Sequence, residues 1–260
     1  MSRIFVTGSS DGLGMMSARI LIDAGHQVTL HGRNDRRAAD ARAALPKAKD
    51  VVVGDLSNIA ETRQVAEQVN ALGRHDAVIH NAGIGYREQY RVETIDGLSQ
   101  VFAVNVLAPY LLTALITPPD RLIYLSSGLH MSGDAVLDDP QWVARRWSGA
   151  QAYADTKLLD VVLAFAVARR WPRVLSNALE PGWVATKMGG PGAPGDLSLA
   201  PVTQAWLATS DEPAAKVSGQ YFYHQKRHRV NSDARRRDLQ DGLLTYCADL
   251  TGTVLPDETS

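Results

Sequence analysis

The stretch Thr7-Gly-Ser-Ser-Asp-Gly-Leu-Gly14 closes a short apolar run at residues 3–6 and opens a helical pattern over about residues 13–24. A plain strand-to-helix turn needs one glycine, and this one has three. Glycines allow the backbone to turn tightly and let another group approach it closely. The N–H groups at a helix N-terminus attract an anion such as a pyrophosphate. A chain that starts this way is constrained to a strand–turn–helix unit with a ligand at the C-terminal end of its first strand.

The rest of the chain repeats that unit. Strand patterns fall at about residues 27–31, 50–53, 76–80, 121–125, 173–179 and 219–224. Helical patterns fall at about 35–45, 58–72, 94–115, 150–170, 201–209 and 233–248. Gly25 is placed to stop the first helix, and Asn58 and Glu61 have capping-box spacing. Pro109 should kink the 94–115 helix or fall at a break in it. Strands alternating with helices predict an α/β fold, a doubly wound parallel sheet of about seven strands with helices on both faces. Neither a linker nor a solenoid-type repeat divides the chain, so one domain over 1–260 is expected. Loops at about 128–150 and 187–200 would border the site, and a helical extension at about 232–250 would follow the last strand.

Composition narrows the function classes. With 45% hydrophobic residues and a net charge of −1, the chain can bury a core and offers no overall basic field for nucleic acid. The lone cysteine, Cys247, excludes an internal disulfide framework and a cysteine-based metal cluster, which fits a reducing cytosol. The seven histidines show no metal-ligand spacing, so no metal is expected; His80 and His130 read as local hydrogen-bonding groups. No apolar run reaches the roughly 18 residues of a membrane span, and no leader precedes the first strand, so a cytoplasmic protein is expected. The basic residues 226–229 and 235–237 alternate with Asp233, Asp238 and Asp241, as on a solvated, ion-paired face.

Tyr153 and Lys157 lie four residues apart, on one face of a helix whose following residues, 158–167, are mostly apolar. A phenol beside an ammonium is an acid/base unit. The positive charge should lower the phenol pKa from its reference of about 10 and allow proton exchange with an alcohol or ketone. In isolation such a pair is common and ordinarily sits on a solvated face.

Together these features resemble the short-chain dehydrogenase/reductase family, whose glycine turn has the spacing of Thr7-Gly-x-x-x-Gly-x-Gly14 rather than G-x-G-x-x-G. Asn81-Ala82-Gly83 is similar to the family's N-A-G element, and Asp55-Leu56 to its D-L pair at the adenine ring. Asn105 in Val-Asn-Val is similar to the helix Asn, and Pro181-Gly182 with Thr186 to the segment holding the nicotinamide. The resemblance covers about residues 3–225. It implies a Rossmann-type fold and an NAD(P)-dependent oxidoreductase that interconverts an alcohol and a carbonyl. It implies catalytic roles for Asn105, Ser127, Tyr153 and Lys157, with Asn105 holding a water of the proton relay. It implies cofactor contacts from Gly8, Ser10, Asp11, Gly12, Leu13, Gly14, Asp55, Leu56, Asn81, Ala82, Gly83, Tyr153, Lys157, Pro181, Gly182, Val184 and Thr186. The 26-residue gap from Ser127 to Tyr153 is similar to the retinol-dehydrogenase-like branch, which favours Ser127 over Ser126.

Where an NAD enzyme of this fold carries an acidic residue after its second strand, this chain has His31-Gly32-Arg33-Asn34. A guanidinium suits a 2′-phosphate, so NADP(H) is expected to be preferred over NAD(H), with Arg33 as the contact. Leu129, Met131, Trp142, Trp147, Trp183 and Met188 either line an apolar substrate pocket or fill the core. Residues 189–195 form either a lid or a plain loop, and the apolar face after Lys157 serves either a homodimer or homotetramer or packing on the sheet. The partners expected are a small carbonyl or alcohol substrate, without nucleic acid or membrane. Two other readings use the same residues: a cofactor-sensing regulator without chemistry, and a nucleotide-sugar epimerase or dehydratase.

Overall fold

Ile4, Phe5 and Val6 are fully buried, and β1 (Arg3–Val6) is an interior strand of an eight-stranded sheet. The structure, a computed structural model, describes residues 1–257. The other strands are β2 (Gln27–Gly32), β3 (Asp50–Val53), β4 (Ala77–His80), β5 (Arg121–Leu125), β6 (Leu175–Glu180), β7 (Tyr221–Tyr223) and β8 (Lys226–Arg227). Their order is β3-β2-β1-β4-β5-β6-β7-β8. Seven strands run parallel, as the alternation predicts. The additional one, β8, pairs antiparallel with β7 through a tight turn at His224 and Gln225, both at positive φ.

The order reverses between β1 and β4, and a doubly wound sheet opens its binding crevice at that reversal. The segments after β1, β4, β5 and β6 therefore converge at one edge. On one face, α1 (Gly12–Asp23), α2 (Asp35–Ala44) and α7 (Val202–Thr209) pack over Ile4, Val6, Leu30 and Ile79. On the other, α3 (Ile59–Ala71), α5 (Ala108–Leu115), α6 (Gly149–Arg170) and α8 (Arg237–Thr251) cover Phe5, Val78, Leu122 and Tyr124. The α6 residues Ala152 to Val167 are all buried, and the helix lies against β5, β6 and α8. The apolar face after Lys157 thus packs within the chain.

The predicted 94–115 helix is shorter and divided. Residues 93–99 form a turn closed by a Glu93–Ser99 bridge, and the helical path starts at α4 (Gln100–Phe102). It widens into a π turn over Ala103–Leu107, where the Ala108 N–H reaches Ala103 O, and resumes as α5. Pro109 has no N–H to give to the carbonyl of Asn105 four residues back, so the ladder is broken at Asn105. The C-terminal helix also starts later than predicted, behind a 3-10 turn at Ser232–Arg235. Asn58 Oδ1 does cap α3 through Glu61 N at 3.0 Å. The Glu61 carboxylate, however, accepts from Asp55 N at 2.7 Å instead of closing the capping box.

Candidate active site

The glycine turn is stitched to β2 and β4 by the motif residues Thr7 and Asn81 and by His31, whose role motif reasoning passed over. Thr7 Oγ1 accepts from Asn81 N and Ala82 N, both at 2.9 Å, and Asn81 Nδ2 donates to Thr7 O at 2.9 Å. His31, fully buried, accepts from Gly8 N at 3.0 Å through Nδ1, and its Nε2 lies 2.9 Å from Gly54 O. Burial holds the His31 pKa below its ordinary value, so the ring acts as a neutral strut. Gly14 meets the reason for its identity here, because a Cβ would lie 2.4 Å from both Asn81 Nδ2 and Gly8 O. Gly12, at φ +54°, has nothing within 4 Å of the position its Cβ would take.

These residues fit a dinucleotide. Asp11, at the N-cap of α1, makes no side-chain cap, which leaves the first N–H groups of the helix for an anion. Asn81 Oδ1 is a buried acceptor with no partner. Arg33 is exposed at the end of β2. Arg37, one turn into α2, is bound to Asp11 at 2.5 Å. Asp55 holds Ser57 through one oxygen, Oδ1. The Leu56 side chain belongs to the core cluster that also contains Val65.

Beyond the turn lies a cavity of about 440 Å³, bordered by Leu13, Ser127, Tyr153, Pro181, Gly182, Val184, Thr186 and Met188 among others. Its lining brings together the glycine turn, the end of β5, helix α6 and the loop after β6. Ser126 and Ser127 are separated by their bonds. The buried Ser126 hydroxyl donates to Lys157 O at 2.7 Å, whereas the Ser127 hydroxyl, on the cavity wall, accepts from Leu129 N at 3.3 Å. The backbone of Ser127 is braced by His130, whose Nδ1 is 2.8 Å from Ser127 O. The Glu180 carboxylate, at the end of β6, lies beside Gly128, where a Cβ would come 2.5 Å from Oε2.

Tyr153 is only 6% exposed, and its hydroxyl is 3.8 Å from Met188 Sδ. Lys157 Nζ lies 5.8 Å from the Tyr153 ring centre and donates to Leu125 O at 2.8 Å and Asp160 Oδ2 at 2.7 Å. The expectation of a lowered phenol pKa is corrected. Burial raises the Tyr153 pKa by more than Lys157 and Ser127 lower it, and the Asp160 carboxylate adds to the rise. The Asn105 side chain is tied to neighbouring segments of the chain. Its Oδ1 accepts from Ile84 N at 2.9 Å, and its Nδ2 donates to Ile84 O at 3.1 Å and Thr156 Oγ1 at 3.0 Å. Both Nδ2 hydrogens are therefore engaged, and the Asn105 main-chain carbonyl lies opposite the N–H that Pro109 lacks.

Three of the six predicted apolar lining residues, Leu129, Trp183 and Met188, border the cavity. Trp142 packs behind Tyr153 and donates to Asp155 Oδ2 at 3.2 Å, and Trp147 donates to Glu88 O at 2.9 Å. Met131 is half-exposed outside the lining. Trp183 Nε1 donates to Gly189 O at 3.0 Å, Thr186 Oγ1 accepts from Gly189 N at 3.1 Å, and Lys187 Nζ lies 2.7 Å from Asp11. The segment after β6 thereby borders the cavity and touches the glycine turn. Among the described residues no cluster could hold a metal ion, and no helix is long and apolar enough to cross a membrane. On the basic face, Arg236 pairs with Asp238 at 2.6 Å and Asp233 at 3.6 Å, as the charge pattern predicts.

A parallel sheet with a glycine turn at its reversal, Ser127 and Tyr153 on the cavity wall and Lys157 beside Tyr153 defines a nucleotide-dependent oxidoreductase. Residues 2–193 match the short chain dehydrogenase family profile, and the chain belongs to this family of NAD(P)-dependent short-chain dehydrogenases/reductases. It is 45% identical over 260 residues to an oxidoreductase of Emericella nidulans, covering 98% of this chain and 99% of that one. Human retinol dehydrogenase 13 is 29% identical over 285 residues, covering 97% and 85%, in keeping with the retinol-dehydrogenase-like branch. A crystal structure of a protein from Mycobacterium paratuberculosis superposes with a TM-score of 0.83 at 25% identity, covering 98% of this chain and 95% of that one. These relatives do not favour the regulator or epimerase readings.

Proposed function

We propose that the protein is an NADP(H)-preferring reductase/dehydrogenase for a small, largely apolar ketone or aldehyde and the corresponding alcohol. The observation that carries this reading is a cavity lined by Ser127, Tyr153 and, from the glycine turn, Leu13, with the Lys157 ammonium 5.8 Å from the Tyr153 ring centre.

A bound nicotinamide cofactor supplies the hydride for reduction and accepts it in oxidation. Ser127 hydrogen-bonds the substrate oxygen and fixes its approach. Tyr153 donates a proton to that oxygen in reduction and removes it in oxidation. The Lys157 charge supports the phenolate, and the main-chain carbonyl of Asn105 holds the water that continues the proton path. The cofactor-binding set is Gly8, Ser10, Asp11, Gly12, Leu13, Gly14, Asp55, Leu56, Asn81, Ala82, Gly83, Tyr153, Lys157, Pro181, Gly182, Val184 and Thr186. Leu56 contributes through its backbone, since its side chain is in the core. Arg33 provides the guanidinium for a 2′-phosphate. Leu129, Trp183 and Met188 supply the apolar wall. We place the protein in the cytoplasm as one domain spanning the whole chain, acting on small molecules as a homodimer or homotetramer whose contacts lie outside the buried face of α6.

A panel of apolar ketones and aldehydes, followed by NADPH and NADH absorbance, tests this function. The expected result is oxidation of NADPH by at least one carbonyl, with a higher kcat/KM for NADPH than for NADH. A clear NADH preference would overturn the cofactor assignment, and turnover with neither cofactor would overturn the activity.

A further inference from the structure

One turn beyond Lys157 on α6, Asp160 carries a carboxylate that the proposed proton exchange does not use. Both side chains are buried, Asp160 to 2% and Lys157 to 4% exposure, and Oδ2 lies 2.7 Å from Nζ. The Leu125 carbonyl at 2.8 Å is the second partner of the ammonium. Its third N–H is left toward the Tyr153 and Gly83 side. There the absent side chain of Gly83 leaves room, since a Cβ would come 3.4 Å from Nζ. Asp160 therefore fixes both the charge environment and the direction of the lysine.

Among the described residues, the groups facing the pair from neighbouring elements leave it without another counter-ion. Tyr124 of β5 and Tyr221 of β7 are both kept as neutral phenols, first by burial and in part by the Asp160 charge. On α6 itself, Tyr153 is the remaining titratable neighbour of Lys157. Burial opposes the Lys157 ammonium, yet Asp160, followed by Tyr153, outweighs it and holds the group above its ordinary range. Burial pushes Asp160 up to about 6 against the pull of Lys157, so its carboxylate is ionised at neutral pH and above. A buried ammonium stripped of its only counter-ion gives up its proton. A neutral lysine cannot support a phenolate.

We propose that Asp160 is a positioning residue, the buried counter-ion that keeps Lys157 charged and aimed at the Tyr153 side of the cavity. The proposal rests on the reading that Tyr153 exchanges the proton and Lys157 supports it.

The test uses the full chain carrying carbon-13 at the ε-carbons of its six lysines. The Lys157 signal is identified by its loss in Lys157→Met. Neither cofactor nor substrate is needed, so the result stands apart from whether a substrate has been found. In the wild type, Lys157 is expected to titrate above the other lysines; in Asp160→Asn it is expected to titrate below them. A wild-type Lys157 that titrates below the others overturns the proposal, even if the Asn variant does not fold. An Asn variant whose Lys157 titrates as in the wild type overturns it as well. With a substrate in hand, the acid limb of alcohol oxidation is expected to move to higher pH in Asp160→Asn and to return part of the way in Asp160→Glu. Equal loss of rate at every pH, with the limb unmoved, would assign Asp160 to structure alone and overturn the proposal.

Discussion

Lys187 Nζ lies 2.7 Å from Asp11 Oδ2, joining the loop after β6 to the glycine turn that opens α1. Arg37 approaches the same carboxylate oxygen at 2.5 Å. Burial raises the Asp11 pKa, but Lys187 and Arg37 together outweigh it and hold the group below its ordinary range. Asp11 is therefore an anion bridging two cations from opposite sides of the crevice.

Lys187 is 84% exposed along its side chain, so this pair adds little to global stability. Lys187→Met should change the unfolding free energy by less than about 0.5 kcal/mol. It should nevertheless free the loop. Limited proteolysis is expected to cut residues 187–195 faster in the variant, and added NADPH should restore less protection than in the wild type. Equal cleavage rates would show that the bridge does not hold the loop.

The exposed Arg33 guanidinium stands just past the end of β2, where residues 31–34 carry no carboxylate. Arg33→Ala should weaken NADPH binding by about 10- to 100-fold, the worth of a charge-assisted contact of roughly 1.5–3 kcal/mol. NADH binding should change little. Fluorescence titration with both cofactors checks this, and an equal loss for the two would remove Arg33 from the selection.

Two buried histidines make stability depend on acid. Burial holds His80 down to about 3 and, with help from Arg3, His75 down to about 4. As pH falls below the unfolded value of about 6.5, the unfolded chain binds protons that the folded one refuses. The stability these neutral rings contribute is present above that pH. It is then lost at about 1.4 kcal/mol per pH unit for each histidine, until each folded value is reached. Urea midpoints should fall between about pH 7 and pH 5. His80→Gln, which can still meet Thr113, should flatten that dependence; an unchanged slope would contradict the assignment.

Much of this was legible in the sequence because each motif closes a strand or opens a helix. The glycine turn, Asn81-Ala-Gly83, Ser127 and Pro181-Gly182 all sit at strand ends that a parallel sheet brings to one edge. What stayed hidden depends on burial and on pairs distant in sequence. His31 bracing Gly8, and Lys187 reaching Asp11 across 176 positions, leave no periodic trace. The direction of the Tyr153 shift was misread because four-residue spacing shows the lysine and not the depth of the pocket. Asp160 was visible three residues past Lys157, but only its burial makes it a counter-ion. Trp142 and Trp147 could not be sorted from Trp183 by composition, since only the fold decides which indole faces the cavity.

Tyr153→Phe gives the most direct measurement, with steady-state turnover of the best carbonyl and NADPH affinity determined on the same preparation. Removing one hydroxyl from a packed ring should leave the cavity and the glycine turn intact. The account predicts that kcat falls by about 10²–10⁴-fold while the Kd for NADPH changes by no more than about twofold. A variant that keeps wild-type turnover would place the proton exchange on another group and contradict the account.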